Sequence, residues 1–312
     1  MSKIAIVQAP PAVLNKAATI ARAIDSLAAA AAGGAQLVVF PETYIPGYPA
    51  WIWRLRPGDD RRIYRELYPR LLANAVDLEA GDLAPLQAAA AKHGVTIVVG
   101  FQERDAQFGR TTLYNALAVI GADGALINRH RKLMPTNPER MVWGVGDASG
   151  LRVVETPVGR LGALICWENL MPLSRYALYG EGVQVYCAPT YDSGDVWIAS
   201  MQHIAREGGC FVISAGCVLR ASDIPADFPD KAQHYPDPDE WINPGDSVVV
   251  APSGRVIAGP MRKETGILFA DLDLDAVGVA RGALDVVGHY ARPDIFQLNV
   301  NRRAAAPVSF ED

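Results

Sequence analysis

Three residues able to do chemistry stand where apolar or basic runs give out. Cys166 ends the run Leu161-Gly-Ala-Leu-Ile165 and is followed by Trp-Glu-Asn, with a helix expected from about residue 170. A strand end running into a helix start suits a nucleophile, because helix N-termini and backbone amides stabilise a thiolate and developing negative charge. A buried structural cysteine is the other reading, and it is the one given to Cys187, Cys210 and Cys217. Glu42 follows Leu37-Val-Val-Phe40 and Pro41, again where a buried strand ends and a loop begins. In an open α/β sheet such ends gather at one edge, and a carboxylate against apolar walls there can act as a general base with a raised pKa. From position alone it reads as a solvated loop carboxylate. Lys132 lies in Asn128-Arg-His-Arg-Lys-Leu-Met-Pro135 at the basic end of a hairpin strand. An ammonium held near a reacting carbon stabilises negative charge or passes a proton; an ordinary surface lysine is the alternative. Glu139, in Asn137-Pro-Glu-Arg-Met141, either orients Lys132 or the substrate, or caps a short helix.

The elements that must position these groups follow from hydrophobic periodicity. A strand at 4–7, an alanine-rich amphipathic helix at 15–32, Gly33-Gly34 and an apolar strand at 37–40 make a strand-helix-strand unit. A second unit has a helix near 83–93 stopping at Gly94 and a buried strand at 95–99. Strands at 113–120 and 125–129 flank Gly121-Ala-Asp-Gly124, and strands at 248–251 and 256–258 flank Pro252-Ser-Gly254, both with hairpin chemistry. Between the hairpins lie strands at 161–165, 183–187 and 211–215 and helices at 170–179 and 196–207. This is a layered α/β domain with mixed sheets. Two stretches break the rhythm: residues 51–70, with two tryptophans and several arginines, and residues 222–244, rich in Pro and Asp. Both read as long surface excursions of the kind used as lids or contact loops.

A chain of 312 residues, half of them apolar, can bury a sizeable core. Its net charge of -5, with basic residues scattered among acidic ones, leaves no footprint for nucleic acid or an anionic membrane. The opening Met-Ser-Lys and strand-like run lack the pattern of a signal peptide, and no stretch is long enough to span a bilayer. The four cysteines show no metal-ligand spacing, so reduced thiols in a cytoplasm are expected.

Each signal is weak alone, and together they match a known pattern. Pro41-Glu-Thr-Tyr-Ile-Pro-Gly-Tyr-Pro49, His130-Arg-Lys-Leu-Met-Pro-Thr136 and Leu164-Ile-Cys-Trp-Glu-Asn-Leu-Met-Pro172 resemble, in order and spacing, the three catalytic blocks of the nitrilase (carbon-nitrogen hydrolase) superfamily. Cys166-Trp-Glu-Asn is similar to the true nitrilase branch. Cys187-Ala-Pro-Thr190, the block at 203–212 and that at 287–294 resemble plant-type nitrilases and their bacterial relatives. Gly146-Asp-Ala-Ser149 departs from the Gly-Asp-Gly common there. The resemblance implies a catalytic Glu42, Lys132 and Cys166 with Glu139 in support. It also implies a four-layer α-β-β-α sandwich over residues 1–312, with a C-terminal extension from about 285. Subunits would pair as αββααββα in dimers, or in larger or spiral homo-oligomers.

The chemistry so implied converts an aliphatic, aryl or arylalkyl nitrile to its carboxylic acid and ammonia through a cysteine thioimidate and thioester, with no metal or organic cofactor. An amidase or carbamoylase, a cyanide dihydratase, and a non-catalytic assembly-forming protein are the alternatives. Tyr48, Trp51, Trp167, Tyr191 and Trp197 are the candidates for lining an apolar substrate pocket, whereas Trp53 reads as packing.

Overall fold

The buried runs become strands whose two faces pack against different partners. The computed structural model describes residues 1–56 and 58–308. Its strands are β1 (Ser2–Gln8), β2 (Leu37–Val39), β3 (Thr96–Arg104), β4 (Leu113–Ile120), β5 (Leu126–Arg131), β6 (Val154–Thr156), β7 (Gly159–Ala163), β8 (Val185–Cys187), β9 (Phe211–Ser214), β10 (Val218–Arg220), β11 (Trp241–Val250), β12 (Val256–Arg262) and β13 (Gly266–Leu272). The helices are α1 (Lys16–Ala32), α2 (Arg61–Asn74), α3 (Ala84–His93), α4 (Pro172–Gly180), α5 (Asp195–Gly208), α6 (Lys231–His234) and α7 (Asp275–Ala283).

One sheet has the order β13-β1-β2-β3-β4-β5 and the other β10-β11-β9-β8-β7-β6, with β12 beside β11. Both are mixed: β1, β2 and β3 run parallel, as do β7, β8 and β9, while hairpin partners run antiparallel. Alternation within the strands sets the layers. Val38, Ile97 and Val99 pack with Ala23 and Leu27 of α1 and Leu86 and Ala90 of α3. Their neighbours Leu37, Val39 and Val98 point the other way, into a core shared with Leu161, Val185, Cys187 and Ile213 of the second sheet. On the far side of that sheet, Tyr186 and Val212 meet Leu178 of α4 and Trp197, Met201 and Ile204 of α5. The result is the expected α-β-β-α sandwich. A strand buried on both faces has no polar side to show, which is why β2 and residues 97–99 of β3 read as unbroken apolar runs.

Local chemistry sets the element ends. The Asn15 side chain accepts from Ala18 N–H at 3.0 Å to start α1, and Gly94, with φ +64°, stops α3. β11 begins at Trp241, well before the expected strand at 248. Its first half pairs with β10 through Trp241, Asn243 and Pro244 across a register shift, and Gly245 lies opposite Arg262 of β12. The two excursions dock on each other. Arg54 pairs with Glu240, Arg62 with Asp230 and Arg70 with Asp227, and the Trp51 ring lies 5.6 Å from that of Phe228. Among the described residues no helix is long and apolar enough to cross a membrane.

Candidate active site

The ends of β2, β5, β7 and β8 bring the candidate residues together between the sheets. Glu42 sits in a turn laid directly on β3. A Cβ added to Gly100 would stand 2.3 Å from the Pro41 carbonyl oxygen and 2.5 Å from Thr43 N, so only glycine admits this path. The Glu42 carboxylate is fully buried and each oxygen is engaged: Oε1 accepts from Asn115 Nδ2 at 2.7 Å and Lys132 Nζ at 2.8 Å, and Oε2 accepts from Tyr191 N–H at 2.6 Å. Asn115, on β4, is oriented by the Thr43 hydroxyl, which donates to its Oδ1 at 3.1 Å.

Lys132 is the first residue beyond β5, held in register by its N–H donating to Asn115 O at 2.7 Å. Its buried ammonium lies between two carboxylates, reaching Glu42 at 2.8 Å and Glu139 Oε2 at 2.8 Å. Glu139 also caps its own short 3-10 turn (Asn137–Met141), accepting from Thr136 N–H at 2.7 Å. Its Oε1 takes the Tyr48 hydroxyl at 2.7 Å.

Cys166 opens a 3-10 turn (Cys166–Leu170) with φ +51°, a left-handed conformation uncommon for a residue with a side chain. The turn is clamped by Asn169 Nδ2, which donates to the Cys166 carbonyl at 2.7 Å. The Thr190 hydroxyl donates toward Sγ at 3.4 Å. Glu168 joins this turn to the lysine loop. Its Oε2 accepts from Ile165 N–H at 2.7 Å and its Oε1 from Leu133 N–H at 2.6 Å, while His130 Nε2 lies 3.0 Å from the carboxylate.

Two expectations about the nucleophile change. The helix begins at Pro172 rather than near 170, so the amides beside the sulfur belong to a short turn and not to the start of α4. The thiol is also not pre-ionised. Burial, reinforced by the charge of Glu42 and opposed by Lys132, pushes it up to about 12. Burial likewise raises Glu42, with Glu139 adding to it and Lys132 and Asn115 holding it back. For Lys132 burial acts downward, but the carboxylates of Glu42 and Glu139 outweigh it and keep the ammonium protonated. The arrangement is a protonated sulfur, a buried carboxylate inclined to accept a proton, and a fixed positive charge.

Above Cys166 opens a cavity of about 310 Å³, large enough for a small organic substrate. Tyr48 and Tyr191 line it and stack on each other at 3.8 Å, and half-exposed Trp167 forms another wall. Trp51 and Trp197 are not on it. Trp51, 1% exposed, is locked into the core between the two excursions, and Trp197 lies on the buried stripe of α5 with Nε1 donating to Ser214 Oγ at 2.9 Å. Trp53, read as packing, is 44% exposed and lines the cavity instead, with Nε1 donating to the Tyr48 hydroxyl at 3.0 Å. Asn115, Glu168, Thr190 and Asp192 were not singled out from the sequence. Asn115 left one signal, a lone amide in the apolar strand Leu113–Ile120 that must find a buried partner.

Comparison with known proteins identifies the family. A model of the carbon-nitrogen hydrolase family matches residues 3–282. A bifunctional nitrilase/nitrile hydratase of Nicotiana tabacum is 44% identical over 308 residues, covering 98% of this chain and 87% of that one. An aliphatic nitrilase of Sinorhizobium fredii is 43% identical, covering 97% of each. Among solved structures, a carbon-nitrogen hydrolase from Helicobacter pylori superposes with a TM-score of 0.70 at 19% identity, covering 94% of this chain and 96% of that one. An amidase from Nesterenkonia gives 0.65 at 21%, covering 91% and 94%. At these identities the last two speak for the fold alone.

Proposed function

We propose that this chain, which belongs to the carbon-nitrogen hydrolase family and is a nitrilase-type enzyme, hydrolyses an organic nitrile to its carboxylic acid and ammonia with Cys166 as nucleophile. The observation that carries the reading is the buried Glu42–Lys132–Glu139 array beneath a cavity floored by Cys166. Glu42 takes the thiol proton as sulfur adds to the nitrile carbon, and the nitrile nitrogen, once protonated, leaves a thioimidate. Water adds to that carbon with Glu42 again as base. Lys132 stabilises the tetrahedral species, ammonia departs, and a thioester remains. A second water releases the acid and restores the thiol, so each nitrile consumes two waters. Glu139 and Tyr48 hold Lys132 in place.

The same tetrahedral species yields an amide when sulfur leaves in place of ammonia, and relatives named bifunctional nitrilase/nitrile hydratase support measuring both products. The test is release of ammonia, acid and amide across aliphatic, aromatic and arylacetic nitriles, the matching amides, and cyanide. Turnover of nitriles by the wild type and none by folded Cys166→Ala is the expected result. Turnover of amides alone would make the protein an amidase, and activity in folded Cys166→Ala would refute the mechanism. Exposed apolar side chains at Leu173, Tyr290, Ile295 and Phe296 further support a homo-oligomer of at least two subunits, which light scattering measures.

A further inference from the structure

One charge on the wall of the cavity has no task in this chemistry. Asp192 follows the Tyr191 whose N–H holds Glu42, and its own N–H donates to Thr190 Oγ1 at 2.8 Å, the hydroxyl that faces Cys166 Sγ. Its carboxylate accepts from Trp167 Nε1 at 2.7 Å and from Ser193 N–H at 2.8 Å, both neutral donors. No lysine, arginine or histidine is among the described residues lining the cavity. Lys132, behind Cys166, is already engaged by Glu42 and Glu139. The remaining walls include the half-exposed indoles of Trp53 and Trp167, aromatic rings of the kind that attract cations.

We propose that Asp192 makes this cavity a charge filter, admitting neutral and ammonium-bearing nitriles and disfavouring nitriles that carry a carboxylate. The inference rests on the nitrile reading above. A substrate carboxylate would lose water on entering and meet Asp192 with no cationic partner of its own, a repulsive element of the kind that sets specificity. An ammonium in the same place gains from Asp192 and from the exposed indoles.

The test uses three arylacetonitriles of matched length, carrying at the far end a hydrogen, an aminomethyl group or a carboxylate, with kcat/KM measured on wild type and Asp192→Asn. Asparagine keeps an oxygen for Trp167 and removes the charge. In the wild type the ammonium-bearing nitrile should exceed the carboxylate-bearing one by about tenfold or more. In Asp192→Asn the two should move about threefold in opposite directions, so that their ratio falls roughly tenfold, and added salt should shrink the wild-type ratio as well. If the variant loses stability, Asp192→Ser gives the same ratio readout. Equal treatment of both charged nitriles by the wild type, or a ratio that Asp192→Asn leaves unchanged, overturns the proposal while turnover of the neutral nitrile leaves the nitrile reading standing. No turnover of these three or of any other nitrile in the panel above refutes that reading, and the charge filter with it.

Discussion

Replacing Glu42 by glutamine separates a base from a structural carboxylate, because the hydrogen bonds around it foretell what glutamine keeps. With its amide oxygen in the Oε1 position, the side chain still accepts from Asn115 and Lys132. Its NH2 then faces the Tyr191 N–H, donor against donor, where Oε2 accepted at 2.6 Å. One unsatisfied buried group costs about 1–3 kcal/mol, and removing a buried carboxylate that resists ionisation offsets part of this. The fold should persist. Chemistry should not, since a thiol that burial holds protonated needs a local base as it attacks. Turnover should fall by roughly 10²- to 10⁴-fold, toward the upper end if one base serves both the thiol and the water. Steady-state ammonia release measures the loss, and intact mass spectrometry in a single turnover locates it. With Glu42 as the base for Cys166, no adduct accumulates in Glu42→Gln. An adduct forming at the wild-type rate would confine Glu42 to the water steps. Folded Glu42→Gln within tenfold of wild-type turnover would refute the reasoning altogether.

The raised pKa of Glu42 also sets a pH dependence: the base is the anion, so activity falls as pH drops through a value above the ordinary 4.5, and an acid limb of kcat/KM at or below 4.5 would contradict this. Glu168→Gln should lower kcat by roughly 10²-fold with little change in KM, because an amide cannot accept from both Leu133 and Ile165 N–H and the Cys166 turn drifts from Lys132. A change confined to KM would remove that positioning role. The tryptophans should divide: Trp51→Ala should destabilise by roughly 3–5 kcal/mol in denaturant melts, whereas Trp53→Ala should mainly raise KM.

How much of this was legible beforehand follows a physical line. Period and punctuation are local, so the amphipathic stripe of α1 with its Asn15 cap, the stop at Gly94 and the two-faced burial of β2 and β3 could be read from the chain. The positions of Glu42, Lys132 and Cys166 came from family blocks rather than periodicity, since each alone looked like an ordinary loop carboxylate, surface lysine or core cysteine. Side-chain partners were not legible. Glu42 and Lys132 meet across 90 positions, and Glu168 reaches Leu133 across 35, through contacts that exist only once the two sheets face each other. The start of β11 was hidden for the same reason, because pairing of Pro244 with β10 and of Gly245 with β12 overrides their turn chemistry. Trp51 and Trp53, two residues apart, have the same local signature, and only the docking of the second excursion sends one into the core and the other to the cavity. The protonated thiol is likewise a tertiary property: composition supplies a cysteine, but desolvation by both sheets and the charges of Glu42 and Lys132 set where its proton resides.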